Sequence, residues 1–158
     1  MTGSEAKART YALMLLRYRG RSEKELRDRL TKKGYQREDI EAAVVYLKEY
    51  GYLDDSALAE NLKHQAMTGK LLGFEGTRRF MQQRGLPRDI IDGAMQYDEG
   101  TELVTLKKVI DKKRRTVEKY PEPKRTRSII GFLMRKGYSL RLIRKALNTS
   151  IADEEMEA

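Results

Sequence analysis

The 158-residue chain has no cysteine, one histidine and three prolines. Without cysteine there can be no disulfide and no thiolate metal site, a composition that fits a reducing compartment. A lone histidine leaves little for metal ligation, and the acids are scattered among bases at salt-bridge spacing. His64 falls in the middle of the fourth expected helix and reads as an ordinary helix residue, not as a catalyst. Long apolar runs are missing too. The longest near the amino terminus, Tyr11 to Leu16, has six residues, so neither a signal peptide nor a membrane span is expected. Alternating strand patterns are absent, and what remains is helical periodicity: an all-α fold of nine helices.

The clearest helical signals lie between Arg21 and Asp55. Ser22 followed by Glu25 forms a capping box, so a helix should start at Glu23. Gly34 should end it in a left-handed turn, with Lys32 and Lys33 suited to the negative end of the helix dipole. A second helix, Arg37 to Tyr50, places Ile40, Ala43, Val44, Leu47 and Tyr50 on one face, and Gly51 stops it.

This template recurs. Gly34, Gly85 and Gly137 lie 51 and 52 residues apart. Four residues before them stand Leu30, Met81 and Leu133, and one after stand Tyr35, Leu86 and Tyr138. Six after stand Ile40, Ile91 and Ile143; nine after, Ala43, Ala94 and Ala146; ten after, Val44, Met95 and Leu147. Five matching columns make three tandem helical repeats the natural reading. The expected organisation is a three-helix unit at 1–53, a second at 54–98 and a third at 99–150, in an elongated, curved arrangement. Residues 151–158 form an acidic tail expected to be disordered. A unit of this size is marginal alone, so neighbours should share apolar surface or a partner should stabilise the units.

Between these landmarks the expected helices are Glu5 to Tyr18, with Ala12, Leu13, Leu16 and Met14 turned inward, and Ser56 to Thr68, anchored by Leu58, Leu62 and Met67. Next come Glu75 to Arg84; a helix from Pro87, at the favoured first position, to Tyr97; and Thr101 to Glu118. Asp54 and Asp55 are expected to cap a helix rather than act as a catalytic pair. Thr77 takes the place held by Leu26 and Ile129 in the other repeats, and with Gly76 it predicts a looser start to the middle unit.

Charge is the second strong signal. Thirty-three Lys and Arg stand against 24 Asp and Glu, a net charge of +9 with a pI near 9.7. Ten bases and three acids crowd residues 107–127. Such a surface suits a polyanion, since each base that neutralises a phosphate releases condensed counterions. The first unit's bases, Arg17, Arg19, Arg21, Arg27 and Lys32, are interleaved with Glu23, Glu25 and Asp28. The third unit's are less neutralised and come from three successive helices. Lys112, Lys113, Arg114, Arg115, Arg125, Arg135, Lys136, Arg141 and Arg144 are therefore the expected filament- or nucleic-acid-binding set.

Two motif readings fail on their residues. The loop Gly69 to Phe74 has glycines and Lys70, but neither the Walker spacing nor a preceding strand, so no nucleotide-binding loop is expected. A helix-turn-helix that reads DNA would put the start of each second helix in the major groove. Here those starts carry Glu38, Asp39 and Glu41, and Asp89 and Asp92, which repel phosphate. Only Arg141, Arg144 and Lys145 give the third unit a basic second helix, without Asn or Gln to read adenine. With no nucleophile–base pair, metal set or cofactor loop in view, a non-enzymatic binding protein without a cofactor is expected.

The segments RSEKELRDRLTKKGY, GYLDDSALAENL, RRFMQQRGL and KYPEPKRTRSIIGFLMRKGYSLRLIRKAL together resemble the RecX family of recombination regulators. The likeness covers about residues 9–148; the first-unit motif with its GYLDD is specific, and the middle departs from the pattern at Thr77. The resemblance implies a cytoplasmic bacterial protein of three three-helix units, monomeric and away from membranes. It further implies a partner, the RecA filament on single- or double-stranded DNA, bound in its groove. Inhibition of recombinase, ATPase and co-protease activities would lower homologous recombination and the SOS response. The alternative is a helix-turn-helix protein acting directly on DNA. The residues leave open whether the basic face meets RecA or DNA, and whether the chain caps filament ends or lies along the groove.

Overall fold

The computed structural model describes residues 2–148 with their side chains, and the expected acidic tail, 151–158, lies outside these. Among the described residues nine α-helices follow one another: α1 Gly3–Tyr18, α2 Glu23–Lys33, α3 Arg37–Glu49, α4 Asp55–His64, α5 Phe74–Gln83, α6 Arg88–Ala94, α7 Glu99–Val117, α8 Lys124–Arg135 and α9 Leu140–Glu157. No strand occurs among the described residues.

The repeat is a backbone motif as well as a residue pattern. Gly34, Gly85 and Gly137 have φ of 102°, 80° and 89°, the left-handed region that side chains disfavour. In each turn the next N–H, from Tyr35, Leu86 or Tyr138, returns to the carbonyl four residues before the glycine, on Leu30, Met81 or Leu133. The glycine N–H bonds to Thr31, Gln82 or Met134. This is the Schellman closure, which satisfies carbonyls that a helix end leaves open. Leu30, Met81, Leu133, Ile40, Ile91 and Ile143 are all buried.

The chain forms two compact units. Met1–Leu62 with Met81–Ala94 make the first, and Lys63–Phe80 with Met95–Ala158 the second.

In the first unit α1, α2 and α3 enclose Ala8, Ala12, Leu15, Leu26, Leu30, Ile40, Ala43, Val44 and Leu47. Helices α1 and α3 run in the same direction: Thr2 hydrogen bonds to Asp39 at one end and Arg9 stacks on Tyr46 further along. The inward stripe of α1 is Ala8, Ala12 and Leu15, so Met14, about 100° away on the helix, is exposed, contrary to expectation. Tyr50 is exposed as well, because α3 ends one residue before it and its ring lies beside Tyr46 on the outer face. The capping box at Ser22 and Glu25 forms as read. Asp54 caps α4 through the N–H groups of Ser56 and Ala57, while Asp55 accepts the N–H of Glu23 at 2.9 Å and so caps α2. Pro87 precedes α6 and accepts Ile91 N–H instead of serving as its first residue.

In the second unit α7, α8 and α9 surround Leu106, Val109, Ile110, Ile129, Leu133, Tyr138, Leu142, Ile143 and Ala146. The expected helix to Thr68 instead gives way to a π-helical turn, Gln65–Gly69, in which Lys70 N–H reaches back to Gln65. Helix α6 ends at Ala94 and not at Tyr97, and Asp98 in extended conformation caps α7 through Gly100 N–H.

The expected looseness at Gly76 and Thr77 is not what the packing shows. Thr77 is fully buried, and its hydroxyl donates to Gly73 O at 2.9 Å. Gly76 lies against the backbone of Lys136 and Gly137, where any Cβ would overlap the Lys136 carbonyl. Glycine here gives up helix propensity for backbone-to-backbone approach.

Candidate polyanion-binding face

The nine bases singled out above lie on α7, α8 and α9 or just after α8, but they do not share one face. The second unit sorts six of them into three groups by what surrounds each and leaves three exposed.

The first group centres on Phe132 of α8. Lys113 Nζ, from α7, lies 4.4 Å from the ring centroid, and Lys136 Nζ, from the turn after α8, lies 5.3 Å away. Lys136 also donates to the Lys70 carbonyl at 2.6 Å, and the Lys70 ammonium sits 5.0 Å from Phe80. Burial, and after it the charges of Lys112 and Lys70, hold Lys136 below the usual lysine range. Neither Lys70, Lys112, Lys113 nor Lys136 has an acidic partner among the described residues. The lysine stems cover half-buried rings while the ammonium groups stay at the surface, where each ring contact contributes about 0.5–1 kcal/mol. Chemically this is three cations over two aromatic rings, with Lys112 adding its charge beside Lys136.

The second group is compensated. Arg125 Nε pairs with Glu122 at 2.9 Å, and Arg114, Arg125, Glu118 and Glu122 line a cavity of 390 Å³ that is mixed in charge. The third is paired as well. Arg141 bonds to Glu99 at 3.0 Å and Lys145 approaches the same carboxylate at 3.5 Å, which holds Glu99 below the usual carboxylate range. Arg115, Arg135 and Arg144 are exposed on their helices. Of the expected set, then, Lys113 and Lys136 meet on Phe132 with Lys112 adding its charge, and Lys70, from the loop without Walker spacing, joins them. Its register was the available signal, since Lys70 and Gly20 precede the second helices of their repeats at nearly the same distance.

The other chemical candidates are occupied by structural work. Asp54 and Asp55 act as helix caps. No group of three His, Cys, Asp or Glu is arranged for a metal among the described residues. Glu41, at the start of a would-be recognition helix, is engaged by Arg27 at 2.9 and 3.0 Å, and α6 has only seven residues. No described helix is long and apolar enough to cross a membrane.

Comparison with known proteins bears on what this face serves. Two family models match: RecX, first three-helix domain, over residues 8–47, and RecX, third three-helix domain, over residues 101–147. The regulatory protein RecX of Chlorobaculum tepidum is 33% identical over 152 residues, covering 96% of this chain and 93% of that protein. The regulatory protein RecX of Vibrio vulnificus is 32% identical over 137 residues, covering 87% and 88%. Among solved structures, RecX from Lactobacillus salivarius superposes with a TM-score of 0.81 at 19% identity, over 94% of this chain and 97% of that one, a likeness of fold. A second crystal structure of regulatory protein RecX also gives 0.81, at 25% identity, over 92% and 73%.

Proposed function

The chain belongs to the RecX family, and from that premise we propose that it is a non-enzymatic regulator that binds the RecA nucleoprotein filament and inhibits its recombinase, ATPase and co-protease activities. Such a regulator lowers homologous recombination and the SOS response from the cytoplasm. The observation that supports this reading most is the group of Lys70, Lys113 and Lys136 over Phe80 and Phe132, with Lys112 beside Lys136 and no acidic partner among the described residues. A filament of protein on nucleic acid offers repeated negative charge, and tandem helical units can meet several of its protomers at once. Modest contacts then add through effective concentration, with no need for one tight patch. Inhibition needs no catalysis: a chain held across protomers opposes the rearrangement that accompanies ATP turnover.

Direct DNA reading has less support. The starts of α3 and α6 carry acids, and the bases of α9 that would face a groove, Arg141 and Lys145, are drawn onto Glu99. The test is a RecA ATPase assay on single-stranded DNA with this protein titrated in. A fall in turnover that saturates with added protein is expected; a flat response at filament-saturating amounts would contradict the proposal.

A further inference from the structure

Two joints between consecutive repeats, one within each unit, are built from the same positions. The base just before the turn glycine reaches a main-chain carbonyl in the loop that leads into the preceding repeat's second helix. Arg84 reaches Gly20 O at 2.8 Å, and Lys136 reaches Lys70 O at 2.6 Å. The residue just after the glycine, Leu86 or Tyr138, is buried. The glycine itself rests on the first turn of that helix: a Cβ on Gly85 would meet Ser22 Oγ at 2.8 Å, and one on Gly137 would overlap Gly76. The first N–H of the same helix is taken by an acid of the following repeat, Glu23 N–H by Asp55 and Phe74 N–H by Glu102, each at 2.9 Å.

The same positions recur twice more without an occupant among the described residues. Around Gly34 the equivalents are Lys33 and Tyr35. Lys33 is exposed, Tyr35 is half-buried, and a Cβ on Gly34 would touch nothing within 4 Å. Beside them Lys7, Tyr11, Met14 and Tyr35 line a cavity of 390 Å³. At α8 the equivalent of Glu23 and Phe74 is Thr126, whose N–H takes its own Glu122 at 3.4 Å rather than an acid from another repeat. There Glu118, Glu122 and Thr126 line the other 390 Å³ cavity. Among the described residues one turn face is thus uncovered, and so is one loop and first turn of the kind that such faces cover.

We propose that the turn face around Gly34 is a docking surface for a second copy of this chain, which presents the loop and first turn of its α8. Lys33 would take the place of Arg84 and Lys136, and Tyr35 that of Leu86 and Tyr138. Lys7 and Lys33 would face Glu118 and Glu122, which share their cavity with Arg114 and Arg125. The contact is heterologous, since different surfaces meet, so it closes no symmetric pair. It is also weak. Arg125 stands where the inner joints have Ser22 and Gly73, and a single turn buries far less than a standard stable interface. Dilute chains therefore stay apart, and copies join when concentrated or aligned on a common lattice.

The absence of cysteine makes the test direct. Chains carrying Lys33→Cys alone and Glu122→Cys alone are mixed in equal amounts and oxidised mildly at high protein concentration, without RecA or DNA. The outcome is therefore independent of the proposed function. At the inner joint the equivalent residues, Lys136 and Lys70, are in hydrogen-bond contact, so the mixed disulfide should form several-fold faster than either self-dimer. Adding Lys7→Glu to the first chain should slow it. Mixed and self-dimers appearing at equal rates, or no disulfide dimer at all while both chains keep the wild-type circular dichroism spectrum, would overturn the proposal.

Discussion

The joint in the first unit and the joint in the second solve one problem with opposite chemistry. At the first, side chains carry the contact: the Arg84 guanidinium lies 3.1 and 3.3 Å from Glu25 and bonds to the Gly20 carbonyl. Glu25 at the same time closes the α2 capping box and meets Arg19. At the second, backbone meets backbone: Gly73 N–H donates to Lys136 O at 2.9 Å, and Gly76 and Gly137 bring two backbones together, beside the side-chain bonds of Lys136 to Lys70 and Tyr138 to Leu71. The comparison teaches that a repeat conserves positions in space and not chemical means. One joint depends on charge; the other depends on having no Cβ.

The largest expected effect breaks the second joint. Gly76 has ordinary helical backbone angles, so Gly76→Ala should raise helix propensity, yet its Cβ meets a carbonyl that cannot swing away. We expect a loss of about 3 kcal/mol or more in urea unfolding, at the upper end of overpacking effects. Gly85→Ala is the sharper counterpart. It forces a left-handed alanine, at about 1–2 kcal/mol, and its Cβ would meet Ser22 Oγ at 2.8 Å, a milder overlap than that with the Lys136 carbonyl at Gly76, so it should cost less than Gly76→Ala. Equal stability of Gly76→Ala and wild type would remove the basis of the comparison.

The cores should not show the contrast. Ile91 in the first unit and Ile143 in the second are both fully buried at the same repeat position. Each Ile→Ala should cost about 2–5 kcal/mol in unfolding experiments. A large gap between them would mean that the units differ in more than their joints.

A smaller effect, with a pH signature, should mark the first joint alone. Burial pushes the Glu25 carboxyl upward, but the Ser22 backbone, the Arg84 hydrogen bond and the Arg84 and Arg19 charges outweigh it and hold Glu25 below its usual range. A folded-state pKa below the unfolded one contributes stability above the unfolded value, about 4.3, and that stability is lost as pH falls through the folded value. Arg84→Ala should therefore cost about 2 kcal/mol near neutral pH, and the difference from wild type should shrink in acid as Glu25 protonates. A penalty independent of pH would assign the contribution of Arg84 to packing.

Much of the fold was legible because it is written in local backbone chemistry. The glycine turns, the Ser22–Glu25 box and the recurring Ile and Ala columns each follow from one residue's conformational or burial preference. Gly76 and Thr77 were misread for the same reason. Helix propensity is a local quantity, whereas the close approach of Gly137 comes from a residue 61 positions away. Tyr50 and Met14 failed by one position at a helix end and on a helix face. The candidate site was legible only as an excess of charge. Counting bases cannot foresee that Glu99 takes Arg141 and that Glu122 takes Arg125. Nor does it show that Phe132 and Phe80 gather the remaining lysines with Lys70.

That sorting of charges is the most direct point of attack on the proposed function. The measurement is the salt dependence of binding to RecA filaments on single-stranded DNA, for wild type, for Lys112→Glu with Lys113→Glu, and for Arg141→Glu with Lys145→Glu. Reversing the unpaired lysines should weaken binding by roughly tenfold or more at low salt and flatten its dependence on salt, because fewer counterions are released. Reversing the pair already held by Glu99 should change both much less. Equal losses in the two variants, or an unchanged slope when Lys112 and Lys113 are reversed in a chain that keeps its fold, would contradict the assignment of the polyanion contact to the Phe132 cluster.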